Sequence, residues 1–233
     1  MPTVVKKILN TNDIIDGLEH NKIGAYGADV YEKEKGIFFN DYTYKELKDD
    51  VLKKLLEIDN AWVPNKEGCS LYIRPFMFAT DEYVGVSPST TYKFIIFNCP
   101  VGSYYSKPLK VQVETEYIRA AKGGVGFAKN AGNYGGSLFA TQKAMQAGYD
   151  QIIWTDAATH QYVEEAGTMN LMFMVGGSLV TAPTGDTILD GVTRKSVIQI
   201  AKDWGIDVQE RQLSVKELVN GILDGSVTEA FGA

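Results

Sequence analysis

The most constraining feature of the chain is a glycine- and alanine-rich stretch at 123–144, GGVGFAKNAGNYGGSLFATQKA. It places Lys129 among small residues, with Tyr134 five positions further on. Gly and Ala put little side-chain volume in the way of a flat ligand, which can then approach the backbone closely. A lysine that loses its water in this setting becomes a nucleophilic amine suited to Schiff-base chemistry. The alternative interpretation is a glycine-rich turn with an exposed lysine that leads into a helix.

Two further segments form a pattern with Lys129. They are YVEEAGTMN at 162–170 and ILDGVTR at 188–194. In order and spacing, the three segments resemble the branched-chain aminotransferases of the type IV pyridoxal-phosphate fold, and the resemblance runs from about residue 55 to the end. It implies an α+β domain at 55–233, with a barrel-like mixed β-sheet, flanking helices and pyridoxal 5′-phosphate as cofactor.

The resemblance assigns a role to each matching residue. Lys129 would form the Schiff base and carry the proton during transamination. Tyr134 would donate a hydrogen bond to the phenolic oxygen of the cofactor, and Glu165 would keep the pyridine nitrogen protonated. The other assigned residues bind the phosphate (Gly191, Val192 and Thr193) or the substrate (Tyr72, Arg74, Tyr104 and Thr168).

Some of these residues allow a simpler interpretation. Thr193 is also expected to cap a helix at 194–204, which would place the phosphate at a helix N-terminus. The same threonine could be only a helix cap. Glu164 and Glu165 could be a solvated charged pair, and Tyr72 and Tyr104 could belong to a core or its rim.

Residues 1–54 depart from the aminotransferase pattern and resemble part of a D-2-hydroxyacid (D-lactate) dehydrogenase. Asp29 matches the cofactor-side aspartate of that family and Glu34 its histidine-orienting glutamate. The glycine-rich dinucleotide motif does not occur in the sequence. We therefore expect a chimeric chain, in which a small helix–strand–helix module at 1–54 precedes the domain at 55–233.

The resemblance implies transamination of Leu, Ile and Val with 2-oxoglutarate, so that the partners are small amino acids and 2-oxo acids; it leaves a homodimer open. The alternative is a catalytically inactive chimeric or truncated protein. It would lack the phosphate arginine of the family's small domain and the C-terminal Gly/Thr loop. Arg119 and Arg194 are the nearest arginines in sequence that could replace the missing one.

Composition narrows the class of protein. The 233 residues carry a net charge of −6 without a basic run, which argues against a nucleic-acid partner. Two cysteines and two histidines are too few and too scattered for a disulfide framework or a zinc site. No apolar run approaches the ~20 residues that span a bilayer, and no signal-type apolar core opens the sequence, so we expect a cytoplasmic protein.

Periodicity and turn residues predict the elements. Helices are expected at 11–19, 44–58, 136–147, 194–204 and 215–223. Strands are expected at 23–30, 71–79, 92–101, 110–118, 151–155, 171–175 and 179–181.

Overall fold

The computed structural model describes residues 27–28, 47–102, 105 and 107–233. The chain forms two compact units, Met1–Ser106 and Lys107–Ala233. The predicted helix at 11–19, Asp29, Glu34 and Tyr104 lie outside the described residues. The predicted boundary between residues 54 and 55 falls inside a helix of the first unit and stays a prediction.

The first unit combines one helix with a three-stranded antiparallel sheet. Its elements are β1 (Gly27–Ala28), α1 (Leu47–Ile58), β2 (Ser70–Ala79) and β3 (Tyr92–Val101), and the strand order is β1-β3-β2. A short 3-10 turn, Asp59–Trp62, follows α1. The strands predicted at 71–79 and 92–101 are confirmed, because their aromatic and branched residues form an uninterrupted β2–β3 ladder.

The second unit is built on a mixed sheet of six consecutive strands. They are β4 (Val111–Val113), β5 (Gln151–Thr155), β6 (Tyr162–Ala166), β7 (Met169–Val175), β8 (Ser178–Thr181) and β9 (Val208–Glu210), hydrogen-bonded in that order. The β4–β5 and β8–β9 pairs are parallel and the other three are antiparallel. Two further strands, β10 (Leu213–Ser214) and β11 (Val227–Gly232), pair with β6 and β7. Among the described strands no ladder closes this sheet into a ring.

Three helices complete the second unit: α2 (Ala131–Gln146), α3 (Val192–Asp203) and α4 (Val215–Asp224). The mixed sheet with its helices confirms the predicted α+β class. No described helix has both the length and the apolar character needed to cross a bilayer.

Strands β6, β9, β10 and β11 were not predicted from the sequence. Two further differences have a local hydrogen-bond explanation. Helix α2 begins five residues before the predicted start, because the Asn130 side chain caps it by accepting the Asn133 N–H at 3.0 Å. The strand predicted at 110–118 stops at Val113. There Glu114 turns the chain, since its Oε1 atom accepts three successive backbone N–H groups at 2.7–3.0 Å.

The core of the second unit lies where the helices cover the sheet. Helix α2 packs Ala140 and Ala144 on Ile152 and Trp154 of β5. Helix α3 packs Ile198 and Ala201 on Met172 and Leu179. Helix α4 adds Leu218 to a third cluster around Val163, Phe173 and Leu213. The sheet is therefore fixed by apolar contacts along several strands.

We expect Met172→Ala to lower the free energy of unfolding by about 2–5 kcal/mol, because it removes a fully buried side chain and leaves a cavity. The matched control is Met145→Ala, at a methionine of α2 that is 58% exposed. It should change stability by less than about 0.5 kcal/mol. Urea unfolding of both variants measures the difference, and equal effects would contradict the described packing.

Candidate functional site

A buried ion pair lies at the centre of the candidate site. Glu165 on β6 is 5% exposed, and its Oε2 atom lies 2.8 Å from Nη2 of Arg119, whose side chain is also buried. The Oε1 atom accepts the Leu189 N–H at 2.7 Å and the Asn170 side-chain amide at 3.0 Å. A carboxylate offers about four acceptor positions. The Oε2 atom has only the ion-pair contact with Arg119 among the described residues, so it keeps acceptor capacity for a further donor.

Burial is also what sets the ionisation of the two adjacent carboxyl groups. Desolvation raises the pKa of Glu165, and the Arg119 guanidinium, the Leu189 N–H and the Lys129 ammonium oppose that rise. Desolvation likewise raises the pKa of Glu164, which is half-buried and accepts the Thr187 hydroxyl at 2.7 Å. The alternative of a solvated charged pair is therefore wrong, because Glu165 is enclosed by protein.

Lys129 lies at the end of the loop that precedes α2, and its side chain is exposed. The expectation that it is desolvated within this chain is wrong, because Gly and Ala neighbours have too little volume to cover it. Its Nζ atom lies 5.1 Å from the centre of the Tyr134 ring. The Lys129 charge also opposes the rise in the pKa of Glu165.

The ion pair borders a narrow cleft with room for about 10 Å³. The lining residues include Ala128, which precedes Lys129, and Tyr134, Glu165, Thr168 and Asn170. The structure thus brings three predicted residues of two separate segments to the cleft: Tyr134, Glu165 and Thr168. Lys129 directly follows the lining residue Ala128.

The predicted phosphate turn forms the start of α3. Gly191 is the N-cap, with φ −64° and ψ 139° and no side-chain cap bond, and Val192 and Thr193 lie in the first helical turn. The prediction that Thr193 caps the helix is wrong, because the helix starts before it. The first-turn N–H groups of a helix have no intrahelical acceptor, and this turn has no acidic residue. It is therefore suited to an anion.

Asn170 connects the carboxylate to this helix terminus. Its side-chain amide donates to Glu165 and also to the Leu189 carbonyl, at 2.8 Å. Its Oδ1 atom occupies the space that a Cβ atom at Gly191 would need. A side chain at 191 would therefore force the Asn170 amide to move. The sequence carried a partial signal for this link, since Asn170 closes the EAGTMN motif.

The arginines expected as replacement phosphate ligands are engaged elsewhere. Arg119 pairs with Glu165 and donates to the Thr187 and Gly126 carbonyls. Arg194 is buried and binds Glu210 at 2.7 Å and the Ala182 carbonyl at 2.9 Å. The partner of Arg119 is the main feature that sequence analysis missed, because the two residues are 46 positions apart in sequence.

Tyr72 and Arg74 belong to the first unit, on β2, where both are exposed. The Arg74 guanidinium lies 5.0 Å from the centre of the Tyr72 ring. Their role in substrate binding, like that of Tyr104, stays a prediction.

The loop that carries Lys129 is joined to residues 186–191, which we call the 186–191 segment. The Phe127 N–H donates to the Asp186 carbonyl at 3.0 Å, and the Gly123 N–H donates to the Asp186 carboxylate at 2.9 Å. A Cβ atom at Gly126 would lie 2.8 Å from the Asp186 carbonyl oxygen and 2.9 Å from the Thr187 Cα atom. The two backbones are therefore too close for any side chain at 126.

We expect Gly126→Ala to destabilise the chain, because the added methyl group meets backbone atoms that must shift. The matched control is Gly136→Ala in α2, where a Cβ atom would meet nothing within 4 Å. It should raise the free energy of unfolding by up to about 1 kcal/mol through helix propensity. Thermal unfolding of both variants is the measurement. A stabilised Gly126→Ala variant would contradict the described contact.

We expect Glu164→Gln to alter how stability depends on pH. Burial raises the pKa of Glu164 above its ordinary value of 4.5, so the folded chain retains a proton that the unfolded chain loses. The wild type therefore loses stability as the pH rises through this window. The melting temperature of the variant, relative to the wild type, should increase from pH 4.5 toward neutrality. A difference that stays constant with pH would contradict this expectation.

Known proteins with similar sequences belong to one family. The model of the family described as amino-transferase class IV matches residues 41–227. The chain is 49% identical to branched-chain-amino-acid aminotransferase 2 of Bacillus subtilis (strain 168), over 78% of this chain and 51% of that protein. It is 41% identical to a probable branched-chain-amino-acid aminotransferase of Staphylococcus aureus (strain MRSA252), over 93% of this chain and 67% of that protein.

Solved structures share the fold. The branched-chain aminotransferase of Thermoproteus uzoniensis with norvaline superimposes with a TM-score of 0.68 at 26% identity, over 81% of this chain and 61% of that one. The chain spans about half the length of the first Bacillus relative. The predicted dehydrogenase origin of residues 1–54 finds no support here, since the family match already begins at residue 41. The chain belongs to the class IV aminotransferases.

Proposed function

We propose that this chain provides the pyridoxal-phosphate site of an aminotransferase that moves the amino group of Leu, Ile or Val to 2-oxoglutarate. The observation that carries the proposal is the shared position of Lys129 and Glu165. The exposed Lys129 directly follows Ala128, which lines the cleft, and the buried, arginine-paired Glu165 lines the same cleft in the second unit. The names of the similar proteins support the branched-chain substrates.

The residues fit the cofactor at both of its ends. The unused acceptor position on Glu165 Oε2 suits a protonated pyridine nitrogen, which is a hydrogen-bond donor. The start of α3 suits a phosphate, because the Val192 and Thr193 N–H groups lack helical acceptors and no acid lies in that turn. The Gly191 N–H donates to the Leu189 carbonyl at 2.9 Å, so Gly191 would contribute close backbone approach rather than a donor. Asp190 precedes this turn, and its carboxylate is paired with Lys195 at 2.5 Å, which offsets its charge.

Each residue then has a definite task. When bound, the cofactor supplies an electron sink for the bond that breaks at the substrate Cα. Lys129 would hold the cofactor through its Nζ atom and, once the substrate amine has displaced it, would hold the proton removed from the substrate Cα on the same atom. Glu165 keeps the ring nitrogen protonated, and Tyr134 donates its hydroxyl to the phenolic oxygen.

Four substrate-binding residues, the localisation and the oligomeric state in this proposal rest on the sequence. Tyr72, Arg74, Tyr104 and Thr168 would contact the substrate. The active protein would be cytoplasmic, as expected from composition, and the resemblance leaves a homodimer open.

A second candidate is a catalytically inactive protein that retains only the fold. The engagement of Arg119 and Arg194 favours it, because both guanidinium groups have carboxylate partners within the protein. A charge-assisted hydrogen bond to phosphate contributes about 1.5–3 kcal/mol, so a site without an arginine would bind the cofactor much more weakly.

The test is to add pyridoxal phosphate, record the visible spectrum, reduce the protein with borohydride and map the modified lysine. We expect one saturable adduct on Lys129, which Lys129→Ala abolishes. Lys122→Ala is the matched control, since Lys122 is an exposed lysine of the same loop and should leave the adduct unchanged.

Labelling scattered over surface lysines, or persisting in Lys129→Ala, would contradict the cofactor site. An adduct on Lys129 without amino transfer from leucine to 2-oxoglutarate would favour the inactive candidate instead.

A further inference from the structure

We propose that Glu164 and Thr187 are positioning residues that orient the Glu165 carboxylate toward the ring nitrogen of the cofactor. This inference rests on the proposed function and adds a second layer to the same site. Neither residue lines the cleft, so they would act through groups that do.

The geometry forms a continuous chain of contacts. The Thr187 hydroxyl donates to Glu164 Oε1 at 2.7 Å. The Thr187 carbonyl accepts from Nη2 of Arg119, and the same Nη2 atom holds Glu165 Oε2 at 2.8 Å. Glu164 thus holds the Thr187 side chain, and the backbone carbonyl of Thr187 holds the Arg119 guanidinium.

The 186–191 segment reaches both oxygens of Glu165. Thr187 acts on Oε2 through Arg119, and Leu189, two residues further, donates its N–H to Oε1 at 2.7 Å. A shift of this segment would therefore rotate the carboxylate. It would also redirect the remaining acceptor position on Oε2, which is the position that the ring nitrogen needs.

The buried position of the Glu164 carboxyl group lowers the stability of the folded chain. Its Oε2 atom is buried and has no hydrogen-bond partner among the described residues. An unsatisfied buried oxygen is unfavourable, and burial raises the pKa of the group. An uncharged acceptor would hold Thr187 at lower cost, so the hydrogen bond from Thr187, rather than the charge, is the contribution we assign to Glu164.

The test compares four variants with two probes. Thr187→Val and Glu164→Leu remove the hydrogen bond, whereas Thr187→Ser and Glu164→Gln retain a donor and an acceptor. The probes are pyridoxal phosphate and its 1-deaza analogue, which has carbon in place of the ring nitrogen. We expect the first two variants to bind pyridoxal phosphate about tenfold more weakly than the wild type.

The analogue separates positioning from a general structural role. All four variants should bind it as the wild type does, because it presents no ring nitrogen to Glu165. Thr187→Ser and Glu164→Gln should bind both probes normally. Equal losses for the two probes would overturn the inference, and so would a Glu164→Gln variant as impaired as Glu164→Leu.

The proposed function can fail separately. If the wild type binds neither probe, the cofactor site is wrong. Melting temperatures of the cofactor-free variants then test the hydrogen bond alone. The Thr187→Val/Glu164→Leu double variant should melt no lower than the less stable single variant. Additive losses would show that the two side chains act independently and would overturn the contact as well.

Discussion

The buried pairing of Arg119 with Glu165 is the constraint on which the rest of the site depends. Removing two charges from water costs several kcal/mol per ion, and only satisfied hydrogen bonds make it tolerable. Here backbone groups supply most of them: the Leu189 N–H for the carboxylate, and the Thr187 and Gly126 carbonyls for the guanidinium. Three separate chain segments must therefore hold their places for the pair to exist.

Asn170 transmits that constraint to the start of α3. One side-chain amide binds both Glu165 and the Leu189 carbonyl, and its oxygen lies against Gly191. The carboxylate and the helix terminus are consequently held by one residue of the same rigid sheet. A ligand with a ring nitrogen at one end and a phosphate at the other needs two anchors at a fixed separation. Because Asn170 holds both Glu165 and the start of α3, it keeps the separation between these two anchors fixed.

The sequence indicated which residues to place in the candidate site, but it did not indicate their environments. The family resemblance pointed to Lys129 and Glu165 as site residues. The residue pattern predicted the strands at 92–101 and 151–155. The early start of α2 was missed because glycines at 132, 135 and 136 favour a loop, whereas the Asn130 cap is enough to start the helix there. The partner of Glu165 was missed because the contact joins residues far apart in sequence, and no local pattern encodes such a contact.

The exposure of Lys129 reconciles the two interpretations of the glycine-rich stretch. The small residues that allow a flat ligand to approach are the same residues that leave the lysine uncovered. An amine must be reachable before an aldehyde can bind it, so exposure is a requirement of capture. In this exposed state the Lys129 Nζ atom lies 5.1 Å from the centre of the Tyr134 ring. Desolvation must then come with the ligand, whose ring would cover the lysine that the protein's own side chains leave open.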